Sequence, residues 1–477
     1  MWYFHFTTKQ KQPQKVFMPQ QSANPKYTPF DIWPLFQDYL PVAVIAGFLA
    51  KLSQRFYKRL YDPMVVVWGF FFQRLNSDHT CDAFVSYLNR IRSCGKASNR
   101  AMSESTAAYC KARQRLPLIL AKQILQHTAQ VQSTYCPSTS LWHARSAFLL
   151  DGSTLRLKAE QELVDHYGRP SGRLGTSHWP VMRIVGAFDL WSGALRAVAE
   201  GAYAQSEVAL AASLFAQLPA GSVVVADQLF GIYRILQELV AAQLDVVVRI
   251  QARHLGRWNQ LRLRVGEDRQ VSWNPSSNDR TAAHLPTPTV TGRLLYVRVI
   301  RAGFRPLDVY LFTTLIQAEL FPFEDIARLY ACRYQVELDL RHVKTTLKME
   351  VLDGKSLDIV RKELYFGLAA YNLVRAWMAK AAQRTGCSPL TLSFAHCWRR
   401  ITHTAHCLSL GLLVYLTPSD EAWNDALISC LARCRLPKRS KHRYEPRAIR
   451  VKPQPYPFLK GSREIAREHL LLQWLEC

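Results

Sequence analysis

Apolar residues recur first with the 3.6-residue period of helices, then with the two-residue period of strands, then with the helical period again. The helical pattern covers 30–54, 57–76, 81–91 and 105–130, with Ser103 or Ser105 placed to cap the last of these. Near Ala147 the period changes, as Ala-Phe-Leu-Leu leads into Asp151-Gly152-Ser153-Thr154 and the alternating Leu155-Arg156-Leu157-Lys158. Strands are predicted over 182–190 and 194–201, joined by Trp191-Ser192-Gly193. A helix over 206–217, an almost wholly apolar strand over 222–226, a helix over 229–242 and a strand over 245–250 follow. This alternation describes an α/β sheet with parallel members. From about 251 to 288 the rhythm yields to Arg-rich alternation (Leu261-Arg262-Leu263-Arg264-Val265) and turn residues at 274–279, which predicts a β-rich insertion. Strands over 293–300 and 309–314 resume the sheet, Pro322 opens a long helix, and helices over 357–384, 389–408 and 419–434 finish the core.

These changes of period divide the chain. A polar leader over 1–26 is expected to be disordered, and 27–140 forms an all-α N-terminal unit. An α/β domain spans 141–385 with its β insertion at 251–290, C-terminal helices span 386–434, and 435–477 is a basic, Pro-rich, extended tail. Lys111, Arg113 and Arg115 spread round the last N-terminal helix, so that unit is a candidate reader of DNA ends, against a plain helical cap.

Hydrophobic content of 49% with 20% charged residues marks a folded chain. A net charge of +25, spread along the sequence, calls for a polyanion, with double-stranded DNA the simplest and an acidic membrane surface the competitor. The longest apolar runs, 64–72 and 408–416, are half what a bilayer span needs, and no signal peptide is evident. Eleven cysteines without framework spacing read as reduced thiols, which places the protein in the cytoplasm. His396, Cys397, His403, His406 and Cys407 match no common zinc spacing.

The candidate chemistry gathers on the long helix. At about 100° per residue, Tyr330, Arg333, Glu337, Arg341, Lys344 and Lys348 form a stripe beside an apolar face of Leu329, Val336, Leu340, Val343 and Leu347. A solvated face with i,i+4 pairs gives the same pattern, but one carboxylate among four cations leaves an excess that an anionic partner would balance. Two aspartates sit where strands end or break: Asp151 after an apolar run and Asp227 after Val-Val-Val-Ala. Each alone fits a turn or a helix cap. Off the carboxyl ends of parallel strands they also fit a ligand crevice, and with Glu337 they make an oxygen donor set for two Mg²⁺ ions, as phosphoryl transfer uses. No phosphate-binding glycine loop, dinucleotide fingerprint, zinc-protease or serine-elbow motif competes.

At these residues the chain resembles the DDE transposases of bacterial insertion sequences, specifically insertion-sequence family four. That family's signature, Tyr-x2-Arg-x3-Glu-x6-Lys, is matched at every spacing by Tyr330, Arg333, Glu337 and Lys344. Both aspartates lie in matching contexts, Leu150-Asp151-Gly152-Ser153-Thr154 and Ala226-Asp227-Gln228-Leu229-Phe230, and the likeness extends over about 55–460. Residues 1–26 match nothing, and Gln228 stands where relatives often carry Arg.

The resemblance implies an RNase H-like catalytic core interrupted by the β insertion, and cut-and-paste transposition through hairpin ends. Asp151, Asp227 and Glu337 would hold two Mg²⁺ ions, for which Mn²⁺ can substitute. Tyr330, Arg333 and Lys344 would grip phosphates beside the cut, with Arg341 and Lys348 of the same stripe as further DNA contacts. A Trp of the insertion would stack on a flipped base; Trp258 and Trp273 are both candidates, against an ordinary place in the core. A homodimer on paired element ends and association with the bacterial nucleoid follow by the same analogy. A non-catalytic DNA-binding derivative and a nuclease that cuts without joining are the alternatives.

Overall fold

The computed structural model describes residues 33–54, 56, 59–95, 103–134, 136–173, 175–258, 263–281, 288–299, 307–409, 420–437 and 461–475. Val-rich runs form the buried central strands, Val223–Ala226 and Asp245–Arg249, while the flanking strands are mixed in composition. The strands are β1 (Ala147–Arg156), β2 (Ser171–Gly172), β3 (Gly175–Thr176), β4 (Val181–Asp189), β5 (Leu195–Ala202), β6 (Val223–Ala226), β7 (Asp245–Arg249), β8 (Asp268–Trp273), β9 (Val290–Val299) and β10 (Leu307–Thr313). Eight of these build one mixed sheet in the order β5-β4-β1-β6-β7-β10-β9-β8, while β2 and β3 pair apart from it. β1, β6 and β7 are parallel; the remaining ladders of the large sheet are antiparallel.

Both faces of the sheet are covered, so alternate residues of one strand enter different cores. Leu149, Val223, Val225 and Val247 face a large cluster that includes the long helix Leu357–Arg384. Phe148, Leu150, Val224 and Val246 face a smaller cluster under the helices Glu207–Phe215 and Tyr233–Ala241. The N-terminal helices share the larger core: Phe70 stacks on Phe366 at 4.6 Å, and Trp377 Nε1 donates to the Leu35 carbonyl at 3.0 Å. Leu357–Arg384 is buried almost all round because helices from both ends of the chain pack on it.

Several predicted elements take a different form. The helix expected over 105–130 is two, Ala107–Arg115 and Leu118–Thr134, since Pro117 has no N–H to continue the ladder. Arg113 turns inward to Glu363, leaving Lys111 and Arg115 exposed. The long helix carrying the stripe divides into Phe323–Ala331 and Tyr334–Arg341, followed by a π-helical turn over His342–Thr346. At the break, the N–H groups of Cys332, Arg333, Gln335 and Val336 bond three residues back, which tightens the turn without Gly or Pro. The described part of 251–290 is no β-rich unit: its one named strand, β8, extends the edge of the large sheet. In the tail, Arg463–Leu475 is helical, not extended. The leader over 1–26 and the basic run over 438–443 lie outside the described residues. No helix among the described residues is long and apolar enough to cross a membrane.

Behind the signature helix, the His342 ring stacks on Phe394 at 4.8 Å, and its Nδ1 lies 3.2 Å from Arg375 Nη2. Burial, then the Arg375 and Arg341 cations, push the imidazole down to about 3. Asp339 does not reverse this because Arg375 engages its carboxylate. An unfolded histidine titrates near ~6.5. The stabilisation is therefore full above that pH and is lost as pH falls from there toward 3, because only the unfolded chain takes up the proton. His342→Gln is expected to remove about 1–2 kcal/mol of the stability lost between pH 7 and pH 5, as read by denaturant unfolding at the two pH values. Equal losses in both proteins would show that His342 is not the source.

Candidate active site

Parallel pairing of β1 with β6 ends at Leu149 opposite Val225, so Asp151 projects just beyond it, and Asp227 directly follows β6. Asp227 thus stands off the carboxyl end of β6, and Asp151 lies within β1 just past the point where its parallel pairing with β6 stops, at the crevice of an open α/β sheet. Asp227 closes a turn as Oδ1 accepts from Leu229 N at 2.8 Å, and this delays the next helix to Tyr233. The Tyr334–Arg341 helix packs against β1 and buries Val336 and Leu340, which presents Glu337 on the flank nearest Asp151.

Arg333 joins the two elements. Its Nη2 lies 2.8 Å from Glu337 Oε1 and its Nη1 3.7 Å from Asp151 Oδ2. Burial pushes the Asp151 carboxyl up to about 6; the Gly152 N–H and Arg333 oppose that rise, while the charges of Asp227 and Glu207 add to it. Burial likewise raises the Tyr330 phenol, against the pull of Arg333 and Arg249 and with a push from Asp227. Lys344 Nζ lies 3.4 Å from Ser153 Oγ, two residues beyond Asp151 on the same face of β1.

The stripe therefore splits. Tyr330, Arg333 and Lys344 are directed toward Asp151 and Asp227, whereas Lys348 donates to the Ser77 carbonyl at 2.8 Å and Arg341 is exposed. The two tryptophans do not meet the expectation of base stacking. Trp273 is fully buried and Trp258 is 9% exposed; they pack edge to face at 5.3 Å, each against Phe312, and Trp258 Nε1 donates to the Ser272 carbonyl. Neither ring has a face free for a base, because the edge strand β8 carries Trp273 into the core.

Sequence reasoning missed Glu207. It opens the Glu207–Phe215 helix behind the cap Ser206, and an acid in a first turn is usually a response to the helix dipole. Only the fold brings it to the Asp151–Gly152 main chain.

In donor chemistry these groups suit a hard divalent cation: oxygen ligands alone, with carboxylates close enough to raise one another. As they stand, no three His, Cys, Asp or Glu side chains among the described residues are grouped to hold a metal. Arg333 supplies the positive charge between Asp151 and Glu337.

The family described as Transposase DDE domain matches residues 142–373, a span that contains all three acids. The transposase InsG for insertion sequence element IS4 of Escherichia coli (strain K12) is 26% identical over 382 residues, covering 76% of this chain and 80% of InsG. InsZ of the same organism is 31% identical over 198 residues, covering 41% of this chain and 64% of InsZ. A piggyBac transposase synaptic complex with hairpin DNA superposes over 92% of this chain and 89% of its own at 10% identity, with a TM-score of 0.41 too low to carry the fold. The Tyr330, Arg333, Glu337 and Lys344 signature lies within the matched span, on the helices that follow the last strand of the sheet, and over that span the chain is similar to the DDE transposases of insertion-sequence family four.

Proposed function

We propose that this protein cuts the ends of an insertion sequence and joins them to target DNA, with Asp151, Asp227 and Glu337 as the catalytic acids on an RNase H-like core. The observation that carries this is the meeting of Asp151 and Glu337, from distant elements, on the single guanidinium of Arg333. The three acids would hold two divalent cations, Mg²⁺ or Mn²⁺. Held there, such ions would supply activation of a water or 3′-hydroxyl and stabilisation of the departing 3′-oxygen.

The chain's own residues then bind and orient the DNA. Arg333, once drawn from the acids, offers a planar fork that suits a phosphate. Lys344 beside Ser153 adds a point charge next to Asp151, and Tyr330 supplies a hydroxyl donor to the same side. Pairing two ends calls for a homodimer on DNA, and a hairpin intermediate is part of the proposal.

The test incubates full-length protein with labelled element ends, target DNA and Mg²⁺. Joined product is expected, with hairpin ends visible on denaturing gels. Cleavage without joining would leave a nuclease, and binding without cleavage would leave a DNA-binding derivative.

A further inference from the structure

We infer that Glu207 is a fourth carboxylate of the cation site, reaching it across the bare main chain of Gly152. This rests on the function proposed above and adds a ligand to it.

Along β1, successive side chains leave opposite faces of the sheet. Asp151 points with Leu149 to the face that carries Glu337, whereas Gly152 points with Leu150 to the face that carries the Glu207–Phe215 helix. Any side chain at position 152 would fill the space that Glu207 occupies, since a Cβ there would overlap both Cδ and Oε2 of Glu207. The missing side chain is therefore what lets a carboxylate from the far face lie against the peptide next to Asp151. Conformational freedom does not explain the glycine, because Gly152 is not among the residues with positive φ.

A purely structural ion pair explains only half of this arrangement. Glu207 Oε1 is 3.2 Å from Arg183 Nη1 on β4, but Oε2 is the oxygen over Gly152. Burial raises the Glu207 carboxyl, Arg183 lowers it, and the charge of Asp227 raises it again. A carboxylate that faces one cation on one side and two like charges on the other gains from a divalent ion between them. The site would then draw one acid from each of four elements: β1, the turn after β6, and a helix on each face of the sheet.

The test uses full-length protein and Mn²⁺ alone, with free Mn²⁺ read by electron paramagnetic resonance. Glu207→Gln is expected to weaken Mn²⁺ binding on the order of tenfold while the metal-free melting temperature stays near that of the parent. Arg183→Gln, which frees Oε1, is expected to bind Mn²⁺ at least as tightly as the parent. Glu207→Gln binding Mn²⁺ like the parent, while Asp151→Asn loses it, would overturn the fourth ligand and leave the three-acid site standing. Loss of binding in Arg183→Gln would also overturn it, by showing that the ion pair alone matters. Should Glu207→Gln fail to fold, Arg183→Gln decides between these outcomes. A parent protein that binds no Mn²⁺ removes both this inference and the proposal on which it rests.

Discussion

Glu337→Gln is expected to lower cation-dependent cleavage of an element end by on the order of a thousandfold or more, with affinity for the end unchanged within about twofold. The amide keeps the size of the side chain on a helix whose Val336 and Leu340 stay buried, so the fold has little reason to respond. What is lost is the charge, and with it the strong half of the Arg333 bridge at 2.8 Å. On the proposed reading, DNA affinity would rest mainly on cations that this change does not remove, Lys344 and the exposed Arg341 among them. Single-turnover cleavage of a labelled end and equilibrium binding over a range of salt would be measured side by side. Cleavage at the parent rate would remove Glu337 from the site. A parallel fall in binding would assign it to DNA contact instead.

The largest stability effect is expected at Glu363, far from the acids. Its Oε1 accepts from Arg113 Nη2 at 2.6 Å, and its Oε2 accepts from the N–H groups of Asp353 at 3.0 Å and Gly354 at 3.1 Å, with Arg74 Nη2 at 3.4 Å. All three charged side chains are buried. Glu363→Ala would leave two guanidinium groups in the core without their carboxylate, together with two unbonded main-chain donors. Removing one partner of such a buried set typically costs about 3–5 kcal/mol. Denaturant unfolding is the measurement, and a loss below ~1 kcal/mol would mean that water reaches these arginines when the carboxylate goes. Exchanging all three residues for apolar ones of similar volume should recover much of the loss, because the cost lies in the unpaired charge.

Much of this architecture is written in local pattern. Leu329, Val336, Leu340, Val343 and Leu347, chosen by period alone, are all buried. The long helix keeps its predicted bounds at Leu357 and Arg384, and Val-Val-Val-Ala forms the short central strand that delivers Asp227. What local pattern lacked was any term for the opposite side of a contact. Arg113 looks like one of three surface cations until Glu363, 250 positions later, draws it inward. The break at Cys332–Arg333 has no Gly or Pro to announce it, and it places the Arg333 guanidinium between two acids from separate elements. Trp258 and Trp273 sit in an Arg-rich stretch that reads as a basic surface, yet strand pairing at the sheet edge turns both rings into the core. Glu207 left no signal, since its neighbour Gly152 is 55 positions away and has no side chain.

The shared core of the two chain ends also bears on how this protein is made. Arg74 meets Glu363 across 289 positions, and Phe70 stacks on Phe366 in the same layer. At a synthesis rate of about 5–20 residues per second, the first helices leave the ribosome roughly 15–60 s before the helix they pack on exists. During that interval Phe70, Phe71 and Trp68 have no native cover from that partner, so the nascent chain is a natural client for holding chaperones. Shortening it from the carboxyl end into the Leu357–Arg384 helix would make that transient exposure permanent.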